Sequence, residues 1–429
     1  MAEVACPIGT LSYTVTGSDE PGCMPMVDSV FIFVGTAVCM LLIPGGLGML
    51  YGGWGGKRSV LTMMAICYTG AVVISIQYFL FGFSLSYSNT GSSFIGDFSN
   101  ALLINVNAEP MAVAPALPAS IFMLFQCMFA AITPVIIIGG GAERIRIWPM
   151  TLFLLLWSTF CYDFFIAWMW GLNGWLKKFG ELDFAGGTAV HVASGAAGLA
   201  LAIFLGPRQN KNVYPASMKD VLLGTGLIWF GWFFFNAGST LALNFQALNA
   251  AVVTHFAACA GCITYSLMGY IHHKKITAEC LVNGVIAGLV GITPACGYVW
   301  PASSLAIGAL TAVCCYCWTH FARPKIPVDD ALDTFGLHGV GGIAGAVLTG
   351  VFATSGVTEL GGYEIPGGWV DGHWIQPLKQ LVGVVVIGLW SFVVSYALLF
   401  AIDKIPGMKV RLAPEHEVNG SDHAQMGDM

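Results

Sequence analysis

Charge is what this sequence has least of. Only 9% of its 429 residues are Asp, Glu, Lys or Arg, against about 25% in a soluble domain, which excludes a solvated globular fold. The shortage is sharpest at the start. No Lys or Arg occurs in the first 26 residues, so the cationic opening of a secretory signal is missing and residues 1–26 read as a short external segment. No basic stretch is long enough to serve nucleic acid, and the net charge of −6 sits mostly on loops and ends. Linkers are lacking too: no polar stretch is long enough to separate soluble domains, and the tail, 403–429, is too short for an enzymatic one.

What abounds is apolar sequence, at 56% hydrophobic residues and a mean hydropathy of +0.76. Eleven runs are long enough to cross about 30 Å of hydrocarbon. They lie near 27–51, 59–84, 119–141, 147–172, 187–205, 219–240, 248–271, 278–297, 302–320, 337–354 and 378–402. They are continuously apolar rather than alternating with period two, so helices are expected and a barrel is not. The expected fold is an all-α, multi-pass bundle with residues 27–402 as one transmembrane domain.

Basic residues give the expected orientation. Lys57, Arg58, Arg144, Arg146, Arg208, Lys211, Lys219, Lys274, Lys275, Arg323 and Lys325 fall on even-numbered connections, and Lys404, Lys409 and Arg411 on the tail. Only Lys177, Lys178 and Lys379 fall on the other side. The positive-inside bias then puts the N-terminus outside and the tail in the cytoplasm.

Of 13 cysteines, most lie in apolar runs and read as reduced, small hydrophobes. Cys6 and Cys23 both fall in the external segment, where an oxidising compartment allows a disulfide between them. The 54 glycines suit close helix–helix approach in a membrane.

Against this background, DFAGGTAVHVASGAAG from Asp183 to Gly198 is unusual. An ionisable residue at bilayer depth is costly and marks a functional site. His191 is followed by Gly195 and Gly198, and His338 by Gly342 and Gly345, so both segments read H-x3-G-x2-G. Each also follows an aspartate, Asp183 and Asp333. Five spans separate the two segments, so their helices cross in opposite directions, the signature of an inverted repeat of spans 1–5 and 6–10. A lone histidine on an apolar helix is ordinarily a satisfied core residue, and the matched pair argues against that. Two neutral imidazoles can hydrogen-bond each other in a dry passage and relay a proton. No third ligand stands at suitable spacing on these spans, so no zinc is expected there. Trp168, Trp170 and Trp175 cluster at the external end of span four, and Trp229, Trp232, Phe233, Phe234 and Phe235 lead to Ser239 in span six. External Trp commonly forms an interfacial belt, but a Trp face beside a hydroxyl, with Phe129 closing over it, also suits a small cation.

DFAGGTAVH, WFFFNAGS, DDALDTFGLHGVGG, PGGLGMLYGG and GAERIRIWPM together resemble motifs of the ammonium transporter family (Amt/Mep/Rh), in the family's order and over essentially the whole chain. NGWL and GLVGITPACGYV look most like its eukaryotic and fungal methylammonium/ammonium permease branch. The resemblance implies an external cation site at Trp170 and Ser239 walled by Phe129, a stacked gate of Phe129 and Phe235, and a pore pair of His191 and His338. It gives Asp183 a supporting role that does not touch ammonium, matches Tyr162 to a family tyrosine, and implies a homotrimer of eleven-helix subunits with one pore each. No cofactor, metal or catalytic residue is implied. The expected partners are ammonium or methylammonium, the bilayer, and a cytoplasmic regulator at the tail; the plasma membrane is the expected location. The chain departs from the family at Asp163 and Phe164, where a small residue and a proline are usual, and at Ala167, where a larger residue is usual.

Ammonium and potassium are alike in size and charge, but only ammonium can surrender a proton and leave as a neutral molecule. A cation–π vestibule, a hydrophobic gate and a neutral His pair would select on that difference, making net transport electrogenic. Three alternatives stand beside this expectation: a passive channel for ammonia or carbon dioxide, an ammonium sensor with little transport, and an intramembrane enzyme. No nucleophile or metal triad accompanies the histidines, which speaks against the last.

Overall fold

The computed structural model describes residues 6–18, 21–210 and 213–427; Lys211, counted above among the basic residues, lies outside them. Among the described residues, ten helices are long and apolar enough to cross a membrane. They are α1 (Met26–Trp54), α2 (Val60–Tyr87), α3 (Ala119–Gly141), α4 (Ile147–Met169), α5 (Gly187–Leu205), α6 (Met218–Thr240) and α7 (Phe245–His273), then α9 (Pro301–Lys325), α10 (Phe335–Phe352) and α11 (Gln376–Lys404). Between α7 and α9 lies a shorter apolar helix, α8 (Ala278–Ile292). The run at 278–297 is thus not one continuous helix. Pro294 has no N–H to continue the ladder, and the chain turns there. Its irregular backbone is buried in protein, the condition under which such backbone is tolerated at membrane depth.

Local chemistry sets several helix starts. Ser217 Oγ accepts from Asp220 N (3.2 Å), Asn244 Oδ1 from Ala247 N (2.9 Å) and Thr277 Oγ1 from Cys280 N (3.2 Å), capping α6, α7 and α8. Pro301 and Pro377 occupy the first turns of α9 and α11, where a missing N–H costs nothing. Within the spans the helix widens to π-helical turns at Leu42–Leu47, Tyr78–Gly82, Ser158–Tyr162 and Trp318–Ala322, and at the starts of α5 (Gly187–Val192) and α10 (Phe335–Val340). The first of these accommodates Pro44. The last two contain the histidines, and such turns are frequent at functional sites.

The helices α3 and α5 are the most buried spans and α11 the least. The crossing of α5 and α10 forms the centre. A Cβ on Gly195 would overlap the backbone of Gly339, and one on Gly342 would meet Gly187 O and Val192 N. The first glycine of each H-x3-G-x2-G motif therefore permits the crossing.

The connections gather at two ends. At one end, an antiparallel hairpin of β1 (Thr10–Thr14) and β2 (Pro21–Pro25) precedes α1, with Cys6 and Cys23 joined by a disulfide. At the other, the tail folds back over the loops as two short helices, α12 (Pro414–Asn419) and α13 (Ser421–Met426). Leu412 N donates to Arg144 O (2.8 Å), and the Asp422 carboxylate accepts from Leu61 N (3.1 Å) and Thr62 N (2.7 Å) at the start of α2.

Candidate functional site

The turn before α5 is organised by Asp183. Its Oδ1 accepts from Gly186 N (3.0 Å) and Gly187 N (2.6 Å), and its Oδ2 from Thr188 N (2.9 Å) and Ala189 N (3.0 Å). Four amides that a helix start leaves without partners are thereby satisfied by one buried carboxylate. Trp170 Nε1 donates to the carbonyl of Asp183 (2.8 Å), so the same turn fixes the indole at the end of α4.

These groups form part of the wall of a funnel of about 660 Å³ that also includes Phe129, Gln126, Tyr87 and Ser239. Ser239 Oγ donates to Phe235 O (2.8 Å), which leaves its lone pairs free to accept. A wall of aromatic rings with a free acceptor suits a small cation that donates hydrogen bonds.

Below the funnel, Phe129 and Phe235 stack with centroids 4.2 Å apart and planes 27° from parallel. Trp170 and Phe129 lie perpendicular, with ring centroids 6.0 Å apart. Phe129 belongs to the funnel and Phe235 to a second, inner cavity of about 20 Å³, so the stacked pair is the partition between them. The inner space holds about one water-sized molecule. Its lining is apolar (Val190, Ile228, Ile286 and others) apart from the indole of Trp232 and the imidazoles of His191 and His338.

The two imidazoles lie Nδ1 to Nδ1 at 3.1 Å. Such a contact requires one nitrogen to donate and the other to accept, so in the neutral pair one outer Nε2 carries a proton and the other is bare. His191 Nε2 is buried without a partner. Trp232 stacks on His191 at 5.2 Å and is itself held by its Nε1 donating to Thr293 Oγ1 (2.9 Å). Both sequence-matched histidines, both phenylalanines, Trp170, Ser239 and Asp183 therefore line two adjoining cavities.

Tyr162 does not. It is fully buried in the widened turn of α4, away from both cavities, and its hydroxyl has no hydrogen-bond partner. Neighbouring Asp163 faces α2, accepting from Gln77 Nε2 (2.8 Å) and Ser86 Oγ (3.5 Å), so it ties two helices together. The match of Asp183 with Asp333 also needs correcting. Asp333 pairs with Arg323 (2.8 Å), whereas Asp330 accepts from Thr334 N (3.0 Å) and Phe335 N (2.8 Å) at the start of α10. Asp330 precedes His338 by the same eight residues that separate Asp183 from His191. The shared motif is D-x7-H-x3-G-x2-G. Trp232 escaped assignment although spacing exposes it: Trp232, Phe235 and Ser239 stand three and four apart on one face of α6.

Residues 30–429 match the sequence model described as Ammonium Transporter Family. The chain belongs to this family. Ammonium transporter 1 of Schizosaccharomyces pombe is 40% identical over 406 residues, which cover 94% of this chain and 81% of the relative. Ammonium transporter MEP2 of Saccharomyces cerevisiae is 38% identical over 411 residues, 93% of this chain and 82% of the relative. Among solved structures, Candida albicans Mep2 superposes with a TM-score of 0.87 at 38% identity, covering 92% of this chain and 88% of that one. Family membership and the apolar helices make this a multi-pass membrane protein.

Proposed function

We propose that this chain is an ammonium transporter that takes up its substrate as a cation and passes it through the pore as ammonia plus a separate proton. One observation carries the reading: funnel, stacked phenylalanines and buried His pair follow one another in a single path. Ammonium docks against Trp170 and Phe129 and donates to Ser239. Beyond the Phe129–Phe235 gate the apolar cavity disfavours a charge, so one N–H bond breaks and ammonia enters alone. The proton moves along the His191–His338 hydrogen bond and rejoins ammonia at the far mouth. One positive charge crosses per molecule, and potassium, having no proton to release, is refused. Asp183 acts indirectly, holding the α5 amides and Trp170.

The same reading places residues 1–26 outside, the transport domain at 27–402 and the tail 403–429 in the cytoplasm. Eleven crossings are supported at the short α8, because Phe184 N at the external turn donates to Pro294 O just past its end (3.1 Å). An inverted repeat of α1–α5 and α6–α10 is supported by the aspartate caps, the π-helical starts and the reciprocal glycine crossing of α5 and α10. A homotrimer in the plasma membrane completes the proposal, to be read from the mass of the solubilised complex and from its location in cells.

The test is the current produced by an ammonium jump on proteoliposomes adsorbed to a planar membrane, with potassium as control. A saturable current with ammonium and none with potassium is expected. Silence from folded protein would overturn electrogenic transport and turn the reading to a gas channel or a sensor.

A further inference from the structure

Outside the lining of both cavities, three histidines converge where nothing in the transport path needs them. His272 and His273 end α7, and His320 lies in the widened turn Trp318–Ala322 of α9. One ring nitrogen from each falls within 4.8 Å of the others, and among the described residues no other trio of metal-ligating side chains is so closely gathered. We propose that His272, His273 and His320 form a binding site for a borderline divalent transition ion of the zinc class, clamping the end of α7 to α9.

Three features support a ligand rather than a chance cluster. His320 Nε2 is buried and has no hydrogen-bond partner, an arrangement that costs free energy unless something fills the position. The Tyr316 hydroxyl lies 3.0 Å from His272 Nδ1. Such a partner fixes the ring and leaves Nε2 as the ligand, as the outer partners of metal-bound histidines commonly do. Thirdly, the cations nearby do not close the site. Arg323 is paired with Asp333 at 2.8 Å, while Lys274 and Lys275 are exposed on the turn after α7.

Three imidazoles with a fourth position open to water make a donor set for Zn²⁺, Co²⁺, Ni²⁺ or Cu²⁺ rather than for Mg²⁺ or Ca²⁺. Tetrahedral Zn–N bonds of about 2.0–2.1 Å put nitrogens roughly 3.3 Å apart, so the rings need close by no more than about 1.5 Å from their spread of at most 4.8 Å. The exposed end of α7, where Lys274 takes a left-handed conformation (φ 57°), gives two of them room to turn. The clamp would lie beside the pore helix. Thr319, next to His320, faces Gly336 in the turn of α10 that carries His338.

The experiment is a Co²⁺ and Zn²⁺ titration of the full-length purified protein, free of any polyhistidine tag, followed by calorimetry and by visible absorption of the cobalt form. One ion per chain is expected, with tetrahedral d–d bands and no thiolate-to-cobalt charge transfer. His320→Ala should weaken that ion by more than about 100-fold, beyond what loss of an outer partner costs. The double variant His272→Gln/His273→Gln, changed only at the exposed end of α7, should do the same and serves if His320→Ala fails to fold. Tyr316→Phe should weaken binding by about tenfold or more. No binding by the parent protein, a thiolate band, or affinity unchanged in the double variant would each overturn the site.

Discussion

His191 and His338 touch through one shared proton position, and each has a distinct environment. His191 lies under Trp232 with its Nε2 unpartnered. Replacing either by Leu keeps the cavity apolar and breaks the relay. The ammonium current should then fall about 100-fold or more, the lower side of what a positioned proton-transfer group contributes, while the protein still elutes as the parent does. A fall of less than twofold would mean that the proton takes another route. The two aspartate caps give a second prediction. Asn has one acceptor oxygen and turns an N–H₂ toward amides that are themselves donors. Asp183 serves four amides and Asp330 two, so Asp183→Asn should cost about 2–3 kcal/mol and Asp330→Asn about 1–2 kcal/mol. Apparent melting temperatures in detergent should fall in that order, and the reverse order would break the account. At this scale the histidines are legible in sequence because imidazole in an apolar run has no cheap explanation. Asp330 is harder to pick, because DDALD offers three carboxylates within five residues; the eight-residue spacing to His338 singles it out from the ion-paired Asp333 once the hydrogen bonds have shown which aspartates are caps. Tyr162 shows the opposite limit: a motif match carries a residue type across without saying which way the ring points.

Helices such as α5 and α10 are positioned by what they lack. Gly195 and Gly342 leave no atom between two backbones, and that contact brings both π-helical starts close enough for the imidazoles to meet. Gly195→Ala should therefore cost about 1–3 kcal/mol as an overpacked core substitution. It should also reduce the current, since neither backbone can yield without separating the rings. Gly226→Ala on α6, where an added Cβ meets nothing within 4 Å, should leave the current unchanged and stability unchanged or raised by up to about 1 kcal/mol, and is the control. Equal effects at the two glycines would remove the crossing from the explanation. Spans are easy to read from apolar length because lipid requires it. The end of α8 and the π-helical turns are not, because they depend on Pro294, on buried partners and on how neighbouring helices fill a widened turn. Likewise, H-x3-G-x2-G discloses that two helices answer each other, but only the packing shows that the glycine of each faces the backbone of the other.

Across the whole molecule, the tail acts as a strap over loops that the sequence leaves far apart. It pairs with the α3–α4 connection at Ile145 and Arg411, reaches the loop after α5 through Arg411 to Pro207 O (2.8 Å), and caps α2 through Asp422. Gln425 Oε1 also accepts from Ile147 N (2.8 Å) at the start of α4. A partner that reads the tail must therefore compete with contacts the chain makes to itself. Asp422→Ala removes the carboxylate from two otherwise unpaired amides and should cost about 1 kcal/mol of docking. Glu415 and Glu417 provide cleavage points for a glutamate-specific protease, and cleavage of a transiently opened segment follows its open population. A shift of 1 kcal/mol multiplies that population about fivefold, so cleavage after these glutamates should speed up about fivefold in Asp422→Ala. The melting temperature of the membrane-spanning helices should hardly change, because the lost contact lies at their edge. Unchanged cleavage would mean that the pairing at Ile145 and the contacts of Gln425 hold the strap without the Asp422 cap.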